Sequence, residues 1–186
     1  MYELNMGATV HCTDGQCGHL TKLVLEPDTY IVTHIVVEEG LLFKRARAFP
    51  ISVVKRTAVQ DIYLSISAEQ MSNFPEYHED IVERPDPVRG GETLLDAGPY
   101  MTVSSTPIIR QKVRQGIPAD STVIERGTVV QNPQGADGKL DSVVIEPESG
   151  QITQLVMHQG IIFTEQKLIP VANVRHIGER SIDLTT

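Results

Sequence analysis

Two cysteines and two histidines fall within nine residues, His11-Cys12-Thr13-Asp14-Gly15-Gln16-Cys17-Gly18-His19. Thiolates and imidazoles at short spacing are the donors that zinc takes, which makes Cys12, Cys17 and His19 the candidate metal ligands. The surroundings argue against that set. C-x4-C inside one hairpin lacks a second ligand pair, and His11 must point away from Cys12 because side chains alternate along a strand. The same spacing across a four-residue turn brings two cysteines within reach of a disulfide. A reducing cytoplasm keeps such thiols apart. Free thiols are therefore the expectation, with a conditional disulfide and a metal site as alternatives.

Other residue types that could do chemistry are scattered. Lys44, Arg45 and Arg47, with Lys55 and Arg56 nearby, form the one basic cluster and are the candidate partner-binding residues. The cluster follows the apolar triplet Leu41-Leu42-Phe43 and reads first as a solvated hairpin. His34 has no orienting partner in sequence and reads as an outward strand position. Glu26 and Glu146 each precede a proline, where a carboxylate at a strand end can bond turn amides. There is no G-x-S-x-G, no Gly-rich phosphate loop and no H-E-x-x-H. No catalytic residue, cofactor or enzyme activity is expected.

The elements that position these residues come in two copies. Gly7, Gly15, Gly18, Leu20, Val24, Glu26-Pro27, Thr33, Val36, Gly40, Phe43, Pro50, Val54, Ile62 and Leu64 recur 120 residues later. The second set is Gly127, Gly135, Gly138, Leu140, Val144, Glu146-Pro147, Thr153, Val156, Gly160, Phe163, Pro170, Val174, Ile182 and Leu184. No gap is needed, so the pattern reads as an internal duplication. Each copy is a series of short strands separated by turn residues: Asp14-Gly15, Pro27-Asp28, Gly40, Pro50. That spacing predicts a small all-β barrel, with a third strand over Val32 to Glu39 and a last one around Ile62-Tyr63-Leu64. Strict alternation would place Leu20 and Val24 on one face of the second strand, and Leu23 and Leu25 on the other. Both faces are then partly apolar, which calls for cover by the other copy, the connector or a second chain.

The pattern of Val10, Asp14-Gly15, Gly18, Leu20, Val24 and Glu26-Pro27-Asp28, with its second copy and the Pro50 and Pro170 segments, resembles the PRC-barrel domain. That domain is shared by the cytoplasmic part of the photosynthetic reaction-centre H subunit and by the ribosome maturation factor RimM. The resemblance covers both repeats and not the connector. It implies adaptor or assembly roles rather than catalysis. The chain departs from the H subunit in lacking a membrane helix, and from RimM in carrying a second PRC-like copy.

Three segments are expected: a first PRC-type barrel over 1–66, an acidic connector over 67–122, and a second barrel over 123–186. Ser67 and Gln70 have the spacing of a capping box, so a short helix should open the connector and end before Pro75. The rest, rich in Pro, Gly and acids, is expected to be irregular, with residues 76–100 mobile or laid over a barrel and 108–117 leaning to extended. Net charge is −8, and only the first repeat is near neutral. Phosphate binding needs clustered cations, so nucleic acid is not the expected partner. The N-terminus shows no secretory pattern, and no apolar run has the length of about 20 residues that spans a bilayer. The expectation is a cytoplasmic adaptor or scaffold that binds another protein or a second copy of itself. An RNA- or ribosome-associated factor and a metal- or redox-responsive module using Cys12 and Cys17 are the alternatives.

Overall fold

The structure, a computed structural model, describes residues 1–40, 45–85, 108–160 and 165–185. Runs of Val, Ile, Leu and Thr closed by glycine or proline become strands. In the first half these are β1 (Tyr2–Asn5), β2 (Thr9–Cys12), β3 (Gly15–Leu25), β4 (Val32–Glu39), β5 (Arg45–Pro50), β6 (Val54–Ala58) and β7 (Asp61–Leu64). A capped turn of helix, α1 (Ala68–Met71), leads to β8 (His78–Pro85) and β9 (Ile108–Gln115). Then follow β10 (Thr122–Glu125), β11 (Val129–Asn132), β12 (Gly135–Ile145), β13 (Ile152–Gln159), β14 (Glu165–Pro170), β15 (Val174–Ile177) and β16 (Ser181–Leu184). Pro50 and Pro170 each lead into a 3-10 turn, Ile51–Val53 and Val171–Asn173. The chain is all-β as expected.

Two sheets carry the same order. One runs β5-β4-β3-β2-β7-β6, the other β14-β13-β12-β11-β16-β15. The β2–β7 and β11–β16 contacts are parallel and at the same register: Val10 opposes Ile62, and Val130 opposes Ile182. Neither sheet has its end strands hydrogen-bonded to each other among the described residues.

The remaining strand of each sheet comes from the other half. β1 adds to β12, with Tyr2 opposite Ile145 and Asn5 opposite Ser142. β10 adds to β3, with Thr122 opposite Leu25 and Glu125 opposite Lys22. Both registers coincide at the 120-residue offset. The hydrogen-bonded sheets thus cross the expected boundaries at 66 and 123. The core is one cluster drawn from both halves, including Leu4, Leu23, Ile35, Phe49, Ile124, Leu140, Ile152 and Ile182. Each such side chain gains about 1.5–3 kcal/mol by leaving water.

Strict alternation fails in the second strand. The β3–β4 register shifts between Leu20 and Lys22, and the β12–β13 register shifts between Leu140 and Ser142. A bulge spends one residue without reversing the face. Leu20 therefore joins Leu23 and Leu25 in the main core, and Val24 alone turns outward. That outer face is covered by the connector: Val24, Val36, Val123 and Tyr77 form a second buried cluster, flanked by Ala46 and Ile117.

The connector is more regular than its composition suggests. Ser67 Oγ accepts from Gln70 N, and Gln70 Oε1 accepts from Ser67 N, closing the capping box. The helix ends before Pro75 as expected. Residues 78–85 are not irregular but pair with 108–115, from His78 opposite Gln115 to Pro85 opposite Ile108. Ladder bonds satisfy this backbone despite the polar side chains. The expectation of mobility falls partly on residues 86–107, which lie outside the described residues. So do the triplets Leu41-Leu42-Phe43 and Ile161-Ile162-Phe163.

Candidate functional site

In the hairpin of β2 and β3, Cys12 and Cys17 are bonded to each other, with Cα atoms 5.8 Å apart. This corrects the free-thiol expectation. A register shift after Val10 and the positive φ of Gly15 close the turn tightly enough to face the sulfurs. Cys12 Sγ also lies 3.3 Å from Met71 Sδ, and Asp14 Oδ1 accepts from Ala68 N, so α1 rests on the bonded hairpin. His19 is exposed. His11 turns away as expected, meeting Asp61 Oδ1 at 2.7 Å and stacking on Tyr63. The disulfide uses both thiols, so Cys12, Cys17 and His19 do not form a donor set. Among the described residues no three His, Cys, Asp or Glu side chains gather as metal ligands.

The described residues of the basic cluster fall on two strands, β5 and β6. Lys44 lies outside the described residues. Arg45 is exposed on β5, and Lys55 and Arg56 are exposed on β6, at the opposite end of the sheet order. Arg56 lies 3.5 Å over the Tyr63 ring. Arg47 departs from the solvated-hairpin reading: its side chain is only 11% exposed. Nη1 donates to Phe74 O (2.7 Å), Nη2 to Glu76 Oε1 (3.1 Å), and Nε lies 3.4 Å from Glu39 Oε1. It is an anchor inside the chain. His34 is half-buried, and burial lowers its pKa. Glu26 and Glu146 accept from the hydroxyls of Thr29 and Ser149 rather than from turn amides.

Arg47 points to the feature that sequence reasoning missed. The outer edge of β5 is covered by the segment just after α1. Ala48 N donates to Pro75 O (3.2 Å), Tyr77 N donates to Ala46 O (2.8 Å), and Arg47 bridges to Glu76. The ring of Phe74 packs on Phe49, with centroids 5.0 Å apart. Ala48 is fully buried beneath this cover.

β14 is the same edge in the other sheet, and its register on β13 matches that of β5 on β4. Among the described residues nothing pairs with its outer side. Glu165, Gln166, Lys167, Leu168 and Pro170 are all exposed. Leu168, at the place of Ala48, is 63% exposed. The sequence did hold a sign: Ala48 is small where the chain's own segment lies over it, and the matching position 168 holds a large, exposed leucine.

The β8–β9 ladder is fastened by charge. Glu79 accepts from Tyr77 Oη (2.7 Å) and Arg114 Nε (3.2 Å), and pairs with Lys112 Nζ (2.8 Å). Arg114 also pairs with Glu179, in the turn before β16, and Lys22 pairs with Glu125. Burial works against the Glu79 carboxylate, but hydrogen bonds from Lys112, Tyr77 and Arg114 outweigh it and bring its pKa to about 2. The bond from Arg114 likewise lowers the pKa of Glu179. Burial, followed by the bond to Glu79, raises that of Tyr77.

Scanned against models of known protein families, the chain matches none, and a search of curated proteins finds no relative. Among the described residues no helix is long and apolar enough to cross a membrane. The functional reading therefore rests on the surfaces: one edge closed by the chain itself, its counterpart bare among the described residues, and a charged two-stranded arm fastened between the halves.

Proposed function

We propose that the chain is a tandem duplication of a PRC-barrel-like unit and works as a non-enzymatic adaptor or scaffold. One observation carries this reading. Two sheets of the same order and register differ in their outer edge: β5 is sealed by Phe74–Tyr77, while among the described residues β14 presents unpaired backbone and Leu168. An exposed strand edge is a template for pairing with another chain and is usually blunted. Here one copy is blunted and the other is open among the described residues, which suits recruitment of a partner. The shared core and exchanged strands would hold the two surfaces in fixed relation, as a scaffold requires.

The redox alternative is supported by the Cys12–Cys17 bond at the foot of α1. Affinity capture from the cell of origin, with mass spectrometry and with nuclease-treated and reduced arms, tests these readings together. The adaptor reading expects a stoichiometric protein that survives nuclease and reductant. Loss with nuclease would replace it with the RNA-associated reading, and loss with reductant with the redox module. Recovery of the bait alone would overturn it.

A further inference from the structure

We propose that the outer edge of β14 docks an extended peptide segment of a partner protein by strand addition, with an acidic residue of the segment opposite Lys167. The inference rests on the adaptor reading and names the chemistry of the partner.

The template is the chain's own cover on β5. There the outward groups are the N–H of Ala48 and the C=O of Ala46, filled by Pro75 O and Tyr77 N. The residue between them, Arg47, stands opposite Glu76. The identical register of β13–β14 turns the N–H of Leu168 and the C=O of Gln166 outward with Lys167 between them. Both groups have no partner among the described residues. A segment docked as Phe74–Tyr77 is docked would supply a carbonyl to Leu168, an amide to Gln166 and a side chain opposite Lys167.

Charge selects that side chain. Lys167 Nζ is 3.1 Å from Asp137 Oδ2, yet its side chain is 54% exposed. Arg47 likewise holds an internal carboxylate, Glu39, while binding Glu76. An acidic residue therefore fits opposite Lys167. Charge also disfavours a second copy of the chain. Two β14 strands pairing through the same outward groups would set Lys167 against Lys167, and like charges directly opposite destabilise a pair. An apolar side chain of the segment has a floor to rest on, since Leu168 lies across from the buried Val156. Strand addition draws affinity from the main chain and specificity from such alternate side chains.

The probe is the blocked hexapeptide Asn-Phe-Pro-Glu-Tyr-His, the sequence of residues 73–78, added to the 15N-labelled full chain. Saturable amide shifts are expected at Leu168 and along β13 and β14 by about millimolar peptide. Lys167→Glu should weaken binding roughly threefold to tenfold. A peptide with Lys in place of its Glu should recover that loss on the Lys167→Glu chain. N-methylation of the peptide's Tyr amide, which removes the bond to Gln166, should abolish the shifts.

Three outcomes overturn the proposal. The first is no shift at Leu168, and the second is shifts confined to Ala46 and Ala48, where the peptide would be displacing the chain's own cover. The third is a Leu168 shift that grows with protein concentration alone, which would assign the edge to a second copy. A partner captured from cells, together with any of these, would leave the adaptor reading standing and move its surface elsewhere.

Discussion

Ile31 and Gln151 occupy the same place in the two halves and pair with each other across the join. Their neighbours repeat the relation: Val32 N donates to Gly150 O at 2.9 Å, and Ile152 N donates to Tyr30 O at 2.7 Å. Equivalent positions that meet each other mark an isologous contact, the signature of a two-fold arrangement. The exchanged strands β1 and β10 lie symmetrically about it. Tyr30 departs from the symmetry, its hydroxyl lying 3.1 Å from the carbonyls of both Val174 and Arg175. At the matching place stands Gly150.

Gly150 is required there by geometry. Its φ is +70°, and a Cβ would stand 2.5 Å from Val32 O. A left-handed non-glycine residue costs about 1–2 kcal/mol, and the clash must also displace the strand end that pairs with it. Gly150→Ala should therefore destabilise the chain by more than about 2 kcal/mol, measured by denaturant unfolding. Gly127→Ala is the control, since φ is a comparable +86° there but nothing lies within 4 Å. Equal costs for the two would mean that the join contributes nothing.

Strand limits were legible because they are local. Val32–Glu39 ends at Gly40, and Ser67 with Gln70 caps α1, as residue types dictate. Partners were not. Tyr2–Asn5 shows the same alternation whichever sheet it joins, so nothing in it announced β12. The bulge at Thr21 hid for another reason: one extra residue shifts the face of Leu20 without leaving a mark in composition. Of the β8–β9 ladder, 108–117 leaned to extended, as β9 is, but the acids of 78–85, Glu79 among them, read as an irregular connector rather than as partners of Lys112 and Arg114. Glu79 pairs with both. The Cys12–Cys17 geometry was readable from the turn, whereas the bonding state was not.

Arg45 and Arg47, two residues apart, should respond in opposite ways. Arg45 is exposed, and reversal of an exposed charge usually falls within about 0.5 kcal/mol. Arg47 joins the Phe74 carbonyl, Glu76 and Glu39 under cover. Loss of charged hydrogen bonds of this kind costs about 1.5–3 kcal/mol. Arg47→Ala should lower the melting temperature by several degrees and open the Phe74–Tyr77 segment to proteolysis, while Arg45→Glu does neither. A resistant Arg47→Ala chain would show that the cover on β5 holds without its anchor.

The last prediction concerns acid. Glu79 has a folded pKa of about 2 against an ordinary value of 4.5, because its carboxylate is bonded by Lys112, Tyr77 and Arg114. A depressed carboxylate pKa means that the folded state favours the charged form. Its contribution is therefore complete above pH about 4.5 and is lost as pH falls toward about 2. Glu179, lowered by the bond from Arg114, adds a change of the same sign. Glu79→Gln cannot carry the charge at any pH. Wild type should melt higher than Glu79→Gln at neutral pH, and the two curves should converge as pH falls through that window. Other carboxylates titrate in both proteins and cancel in the difference. Added salt should narrow the gap only modestly, because the partners are partly shielded from solvent. A gap that stays constant down to pH about 2 would mean that Glu79 acts through packing rather than charge, and that the β8–β9 arm is not fastened by its ion pairs.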